Sequence, residues 1–412
     1  MINLFFIIHD YSGVKTYAKE LLNWLASRQE VLIHKVYLEC KTFNEYTVVK
    51  KGNILNIHIP KAKHRGNNSK KYSQRCIDLM SPLLLQKNNL IFHLNNNTQT
   101  ILGLEARKRF KAKLIYTLHF LPNYFSLFSR ENIVLKDITI EGDEMDREIY
   151  QSADQIICVT KFGMEVLNQH YDIPLTKLCL IYNGVGNASA NNISTNYISK
   201  ENIKHQLGFP KDIKIILFVG RLMPGKGVEK LIKAFNSLSK VIPGIHIVLV
   251  GEGNLPPIME LVQDFGKISF TGKLPHNKVE MLYRIADIGV IPSEFEQCSY
   301  VALEMMQHGL PIVCSDAPGL KELFINRESA LLALLRKRSD GLLGLEITDY
   351  ELIDAITQLL HKNSLAKKLA RNAQTNWQNH YTSAHMGQAV LQAYKQLQTE
   401  PTENERKQEE II

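Results

Sequence analysis

Twice along its 412 residues the chain alternates short β-branched runs with segments of helical period, and a polar stretch separates the two passes. Alternation of this kind leads to a parallel sheet covered by helices, because each strand must be buried on both faces and each crossover needs a helix's length. In the first pass strands are expected near 3–8, 31–39, 54–60, 90–94, 113–118, 155–160 and 178–182, with helical spacing between them, as from Tyr17 to Leu25. The pattern restarts with KIILFVGRL (214–222), IHIVLVGEG (245–253), ISFTGKL (268–274), IGVIPS (288–293) and LPIVCS (310–315). Between the passes, GVGNASANNISTNYISK (184–200) is rich in Asn, Ser and Gly and reads as a linker. The expected organisation is an N-terminal domain over 1–184, a linker over 185–200 and a second domain over 201–380. A helix over 381–397 that crosses back to the first domain and a charged tail over 398–412 complete it. From Tyr350 to Leu397 the sequence reads as helical throughout. The fold class is α/β: two Rossmann-like domains facing across a cleft at the carboxyl ends of both sheets, where open α/β folds place ligands.

Composition narrows the function classes. Apolar residues at 45% and charged ones at 22% are globular proportions with a sizeable core. The cysteines, Cys40, Cys76, Cys158, Cys179, Cys298 and Cys314, are scattered without a CxxC pair, which indicates neither zinc nor a disulfide framework and fits a reducing cytosol. MINLFFIIHDYSG lacks the basic start and small-residue cleavage site of a signal peptide and reads as a first strand. No apolar run reaches the length of a spanning helix, so membrane contact is expected to be peripheral. A net charge of +8 favours anionic partners, nucleotide diphosphates and phospholipid surfaces ahead of nucleic acid, and does not choose among them. KAKHRGNNSKKYSQR (61–75) holds six Lys or Arg residues and suits a solvated loop, an acidic lipid or an anionic acceptor. HFLPNYFSLF (119–128), which interleaves Phe120, Tyr124, Phe125 and Phe128 with leucines, suits a core helix, an acceptor groove or a membrane surface.

The most informative stretch is PSEFEQCSYVALEMMQHGLPIVCSDAPGLKEL (292–323). It sets Glu296 just before a helix and Glu304 within it, two turns on and about 12 Å along the axis at 1.5 Å per residue. Carboxylates so placed can accept hydrogen bonds from sugar hydroxyls while helix N-terminal amides face phosphate oxygens. Two isolated glutamates would more often be a solvated face; the surrounding residues argue otherwise. Upstream, FVGRLMPGKGVEKLIKAF (218–235) places Arg221 and Lys226 at a strand-to-helix turn, where two cations suit a diphosphate. In the first domain DYSGVKTYAKEL (10–21) puts Ser12 and Gly13 after the first strand and just before a helix, without the GxGxxG spacing of a dinucleotide fingerprint. A turn glycine and a hydrogen-bonded strand-end histidine are the plain readings of Gly13 and His119.

PS followed by E-x7-E, then HGLPIV and GLKEL, together with GRL…KG, resembles the donor-site signature of the retaining glycosyltransferase family four, a GT-B fold family. The resemblance spans roughly residues 1–397, densest over 214–323, and includes AD at 153–154 and YNGV at 182–185, with Gly186 at the usual aspartate. It implies that Glu296 sits by the donor sugar and Glu304 by the ribose, with Arg221 and Lys226 on the diphosphate. Ser299 and Tyr300 also line the donor site, Ser299 standing where the family has glycine and so narrowing the sugar pocket. Gly13 matches a loop whose amides approach the donor phosphates. His119 matches a histidine near the anomeric carbon and, with Glu296, is the catalytic candidate. No DxD occurs, in agreement with a metal-independent site in which Arg and Lys meet the phosphates.

The resulting expectation is a retaining hexosyl transfer from a UDP-sugar, or a GDP-sugar as second choice, without a cofactor. The acceptor is a hydroxyl on a glycan, lipid-linked saccharide, peptide or protein, with no nucleic-acid partner. A cytoplasmic location, associated with the inner face of the membrane, goes with this. A nucleotide-sugar 2-epimerase, or a sugar-nucleotide-binding subunit without catalysis, are the alternatives.

Overall fold

The computed structural model describes residues 1–8, 12–40, 43–61, 69–85, 87–121, 140–186, 199–337 and 345–399. The chain forms two compact units, dividing between Gly184 and Val185 and again between Thr382 and Ser383. Of the basic stretch 61–75, residues 62–68 lie outside the described residues and 69–75 are the first turns of a helix, not a loop; most of the aromatic segment after Leu121 and residues 187–198 of the linker also lie outside the described residues.

The first unit runs β1 (Ile2–Ile8), α1 (Ser12–Leu25), β2 (Val31–Cys40), β3 (Thr47–Lys51), β4 (Ile54–Pro60), α2 (Ser69–Leu84), β5 (Leu90–Leu94), α3 (Thr100–Phe110), β6 (Lys113–Leu118), α4 (Ile140–Ser152), β7 (Gln155–Cys158), α5 (Lys161–His170) and β8 (Leu178–Leu180). Its sheet has the order β3-β4-β2-β1-β5-β6-β7-β8, parallel except for β3, which pairs antiparallel with β4. Every residue of β1, INLFFII, is buried, as expected of a central strand covered on both faces. The chain leaves β1 towards β2 on one side and reaches β5 on the other, so the sheet reverses direction between β1 and β5, the position at which such sheets open a crevice.

The second unit runs α6 (Lys200–Gln206), β9 (Lys214–Val219), α7 (Val228–Val241), β10 (Ile245–Val250), α8 (Pro256–Met259), β11 (Ile268–Gly272), α9 (His276–Ile285), β12 (Ile288–Ile291), α10 (Tyr300–Gln307), β13 (Ile312–Ser315), α11 (Pro318–Leu323), β14 (Leu331–Ala333), β15 (Leu335–Lys337), β16 (Leu345–Ile347), α12 (Asp349–His361) and α13 (Asn363–His380). Its main sheet, β11-β10-β9-β12-β13-β14, is wholly parallel, with register Ile216↔Ile247 and Ile216↔Ile288 about the central strand. Ile216, Phe218, Ile247, Leu249 and Val290 join Leu231, Ile232 and Phe235 of α7 and Leu352 and Ile356 of α12 in one core. The direction reverses between β9 and β12.

The helical stretch expected from Tyr350 to Leu397 comprises three helices, the last of them close to the separate helix expected over 381–397. Lys362, at φ −106° and ψ 74°, and Tyr381, at φ −123° and ψ 28°, leave helical geometry. The third piece, α14 (Ser383–Thr399), belongs to the first unit. A Cβ on Gly387 would lie 2.3 Å from the Trp24 ring, so α14 rests on α1 through the bare glycine. The Tyr394 hydroxyl meets His93 Nδ1 at 2.6 Å and Ser383 Oγ donates to Glu20 at 2.7 Å. Among the described residues no helix is long and apolar enough to cross a membrane.

Candidate active site

In the second unit, three missing side chains bring the loops that follow the strands together. A Cβ on Gly251 would fall 1.7 Å from the Gly220 carbonyl oxygen, and one on Gly253 1.8 Å from that of Leu222. The loops after β9 and β10 therefore touch backbone to backbone, joined by Gly220 N donating to Val250 O at 2.9 Å and Leu222 N to Glu252 O at 2.8 Å. Gly227, at φ +68°, precedes the first residue of α7, and a Cβ there would lie 2.0 Å from the Pro292 carbonyl oxygen. Glu294 N donates to Gly225 O at 2.8 Å, which locks the loop after β9 to the loop after β12.

This approach sets Lys226 beside Glu296: Nζ and Oε1 are 2.5 Å apart, and the side chains are 20% and 15% exposed. Ser293 Oγ donates to the same oxygen at 2.9 Å. A cation and a carboxylate at the mouth of a parallel sheet, partly screened from water, form a charge-assisted pair with capacity left for a ligand's oxygens and hydroxyls. Arg221, on the loop after β9, is exposed. The loop carrying Glu296 is held from behind by α11, since a Cβ on Gly319 would lie 2.1 Å from the Gln297 carbonyl oxygen, and by Ser315 Oγ donating to the Ser293 carbonyl.

Ser299 is the N-cap of α10, its Oγ accepting from Ala302 N at 3.4 Å, and Tyr300 opens the helix. The helix begins there, so only the steps from Tyr300 to Glu304 rise at 1.5 Å each. The expected 12 Å along one axis between Glu296 and Glu304 is not the geometry of this loop-then-helix. Glu304 Oε2 accepts from the Tyr283 hydroxyl at 2.8 Å, and His276 Nδ1 lies 3.9 Å from Oε1. Burial and the neighbouring Glu304 carboxylate push the Tyr283 hydroxyl well above its ordinary pKa, so it remains a donor. Tyr283, His276 and Ser293 were not among the expected site residues. Ser293 lies in the quoted motif directly after a strand, but nothing in sequence ties Tyr283, on another helix, to Glu304.

The first unit carries the two remaining candidates. Gly13 lies inside the first turn of α1, which starts at Ser12, and not before the helix as expected. His119 follows β6, and its Nε2 lies 2.9 Å from Asn95 Oδ1, at the end of β5. Asn95 Nδ2 donates to Ile7 O at 2.8 Å, so its oxygen faces the ring, Nε2 of His119 carries the proton and Nδ1 is left as an acceptor. The ring packs edge-on to Tyr17, with centroids 4.7 Å apart. Beneath it, His93 Nε2 meets Thr117 Oγ1 at 2.6 Å, and the Tyr17 hydroxyl lies 3.3 Å from the same oxygen.

Burial pushes the His119 imidazole down to about 3, that of His34 down to about 4, and that of His93 well below its ordinary value. The folded state thus excludes protons that the unfolded state binds. The stability these rings contribute is complete above about pH 6.5 and is lost as pH falls towards the folded values. At pH 5 each ring is expected to cost about 2 kcal/mol. Urea melts at pH 7.5 and pH 5.0 check this; equal midpoints would contradict it. Among the described residues no group of three or more His, Cys, Asp and Glu is placed to hold a metal ion.

Comparison with known proteins places these features. The profile described as Glycosyltransferase Family 4 matches residues 11–187 and that of Glycosyl transferases group 1 matches residues 199–376. An uncharacterised glycosyltransferase of Methanocaldococcus jannaschii is 36% identical over 180 residues, 42% of this chain and 45% of that one. The D-inositol 3-phosphate glycosyltransferase of Corynebacterium glutamicum is 27% identical over 247 residues, 56% of each chain. The matched stretches thus span about half the length of these curated relatives. Among solved structures, sucrose-phosphate synthase from Thermosynechococcus elongatus aligns with a TM-score of 0.77 at 20% identity, over 96% of this chain and 99% of that one. Anabaena HepE in complex with UDP aligns with a TM-score of 0.73 at 16% identity, over 96% and 100%.

Proposed function

We propose, for a chain that belongs to glycosyltransferase family 4 and has the GT-B fold, that it moves a hexose from a UDP-sugar to an acceptor hydroxyl with retention at the anomeric carbon. The observation that carries this reading is the Lys226–Glu296 pair, which puts a phosphate-binding cation and a sugar-binding carboxylate side by side at the carboxyl edge of the second sheet. Arg221 and Lys226 meet the diphosphate and stabilise the charge of the leaving nucleotide. Glu296 accepts from hydroxyls of the sugar, Glu304 from those of the ribose, and Ser299 and Tyr300 border the sugar. His119, neutral and with Nδ1 free to accept, contributes a sugar contact from the first unit, where Gly13 offers backbone to the phosphates. HepE, solved in complex with UDP-glucose, supports UDP over GDP as the carrier. The acceptor class is a glycan, a lipid-linked saccharide or a peptide or protein, reached from the cytoplasm with peripheral membrane contact. No metal or cofactor takes part.

Incubation with UDP-glucose and GDP-mannose, in the presence of simple glycan and lipid acceptors, tests the reading. Free UDP with the sugar on an acceptor is the expected product, and turnover in EDTA is expected to match that in Mg²⁺. An epimerised sugar, nucleotide binding without turnover, or activity lost in EDTA and restored by Mg²⁺ would each overturn part of it. Glu304→Gln is expected to raise the donor KM about tenfold with kcat little changed, because ribose contacts are alike in ground and transition states. A fall in kcat with constant KM would remove Glu304 from the ribose.

A further inference from the structure

A cavity of about 370 Å³ lies at the edge of the second sheet opposite the site above. Its floor is formed by residues that precede strands: Asp287 and Ile288 at the start of β12, and Gly309, Leu310 and Pro311 before β13. The Lys226 and Glu296 loops follow strands, and the sheet is parallel, so the cavity cannot be an extension of them.

The lining is unbalanced in charge. Lys200, Lys214, Arg284 and Lys367, from four different elements, face it with one carboxylate, Asp287. Both oxygens of Asp287 are engaged already: Oδ1 lies 3.1 Å from Lys200 Nζ and 3.5 Å from Lys214 Nζ, and Oδ2 accepts from Ile215 N at 2.9 Å. Lys204, also 3.9 Å from Asp287, adds a further cation behind the wall, its ammonium donating to the Ile213 carbonyl at 2.6 Å. Lys367 is exposed and makes no ion pair among the described residues. Asp287 therefore meets Lys200 and Lys214 together while Lys367 has no carboxylate among the described residues, and the concave wall that holds these three cations concentrates the potential an anion feels. Leu359, Leu360, Ala366 and Ala370 add aliphatic groups to the lining, Ala366 and Ala370 on the same helix as Lys367. The volume lies within the range of small-molecule sites, roughly 300–1,000 Å³. Tyr283 and His308 also border the cavity, and both bond to Glu304, the one to its carboxylate and the other to its carbonyl oxygen at 2.8 Å.

We propose that this cavity is a binding site for a small organic phosphate monoester, its phosphoryl group held by Lys200, Lys214 and Lys367 and its carbon skeleton against the Leu359–Ala370 wall. Two negative charges on one compact group match the surplus, and the aliphatic wall distinguishes an ester from free phosphate. The site's place on the far edge makes its occupant an effector of the unit and not a substrate, and Tyr283 gives it a direct link to Glu304.

Calorimetric titration of the full chain with glucose 6-phosphate and with inorganic phosphate tests this independently of any transfer activity. Glucose 6-phosphate is expected to bind wild type and Arg221→Ala equally, and at least tenfold more weakly in Lys214→Ala/Lys367→Ala. Lys367→Glu, a change at an exposed residue without an ion pair, is expected to weaken it as far with no change in melting temperature. Inorganic phosphate is expected to bind at least tenfold more weakly than the ester. Absence of binding at millimolar ester, equal binding of ester and phosphate, or loss of binding in Arg221→Ala with retention in the lysine variants would overturn the proposal.

Discussion

Gly227→Ala is expected to lose at least about 3 kcal/mol of stability and all measurable donor binding. Two penalties coincide there. The φ of +68° disfavours any side chain, and the new methyl carbon would sit 2.0 Å from the Pro292 carbonyl oxygen, backbone that cannot rotate away. Gly208 separates the two, because its φ is +76° but nothing lies within 4 Å of its missing Cβ. Gly208→Ala is therefore expected to cost only the left-handed strain, about 1 kcal/mol. Urea denaturation of both variants reads the difference, and equal losses would show that the contact with Pro292 yields.

Lys226→Ala and Glu296→Gln are expected to damage turnover in different ways and to be non-additive. Without donor the two side chains neutralise one another at 2.5 Å, so an incoming diphosphate competes with Glu296 for the ammonium. Loss of Lys226 removes a charge-assisted phosphate contact and leaves Glu296 with the Ser293 hydroxyl; kcat/KM is expected to fall by about one to two orders of magnitude. Glu296→Gln releases the ammonium to the phosphates, so the donor KM is expected to stay or drop while kcat falls about a hundredfold. In the double variant the losses are expected to fall short of their sum by about 1 kcal/mol or more, as for groups in direct contact. Additive losses would mean that the pair is broken before catalysis begins and does not matter to it.

The strands that carry the sheets were legible because they are central. INLFFII and KIILFV are apolar at nearly every position, which only burial on both faces explains. TVVKK of β3 was not legible, being an exposed edge whose lysines and short length guard a hairpin against further pairing. Neither were the three-residue strands β14, β15 and β16, too short to show a period. The break at Lys362 involves neither Gly nor Pro and left no mark in a sequence rich in helix formers, whereas the one at Tyr381 falls at the boundary expected between 380 and 381. At the site, residue types and order pointed to Glu296, Glu304, Arg221 and Lys226, but distances did not follow from order. Glu296 meets Lys226 because Gly227 lets two loops touch, and Glu304 meets Tyr283 of another helix; both are properties of packing between separate elements.

The placement of α14 sets an order of events in synthesis. The described residues of the second unit lie in one unbroken stretch, and all of its parts exist once residue 382 has been made. The first unit does not: Tyr394 must reach back 301 positions to His93, and Gly387 must come to rest on Trp24, before its interior is closed. At about 5–20 residues per second the nascent first unit waits roughly 10–40 s, with the flank of α1 uncovered, while the second is being translated. The first unit is therefore the one that matures last, and a ribosome that stops short of α14 releases a finished second unit joined to an open first one.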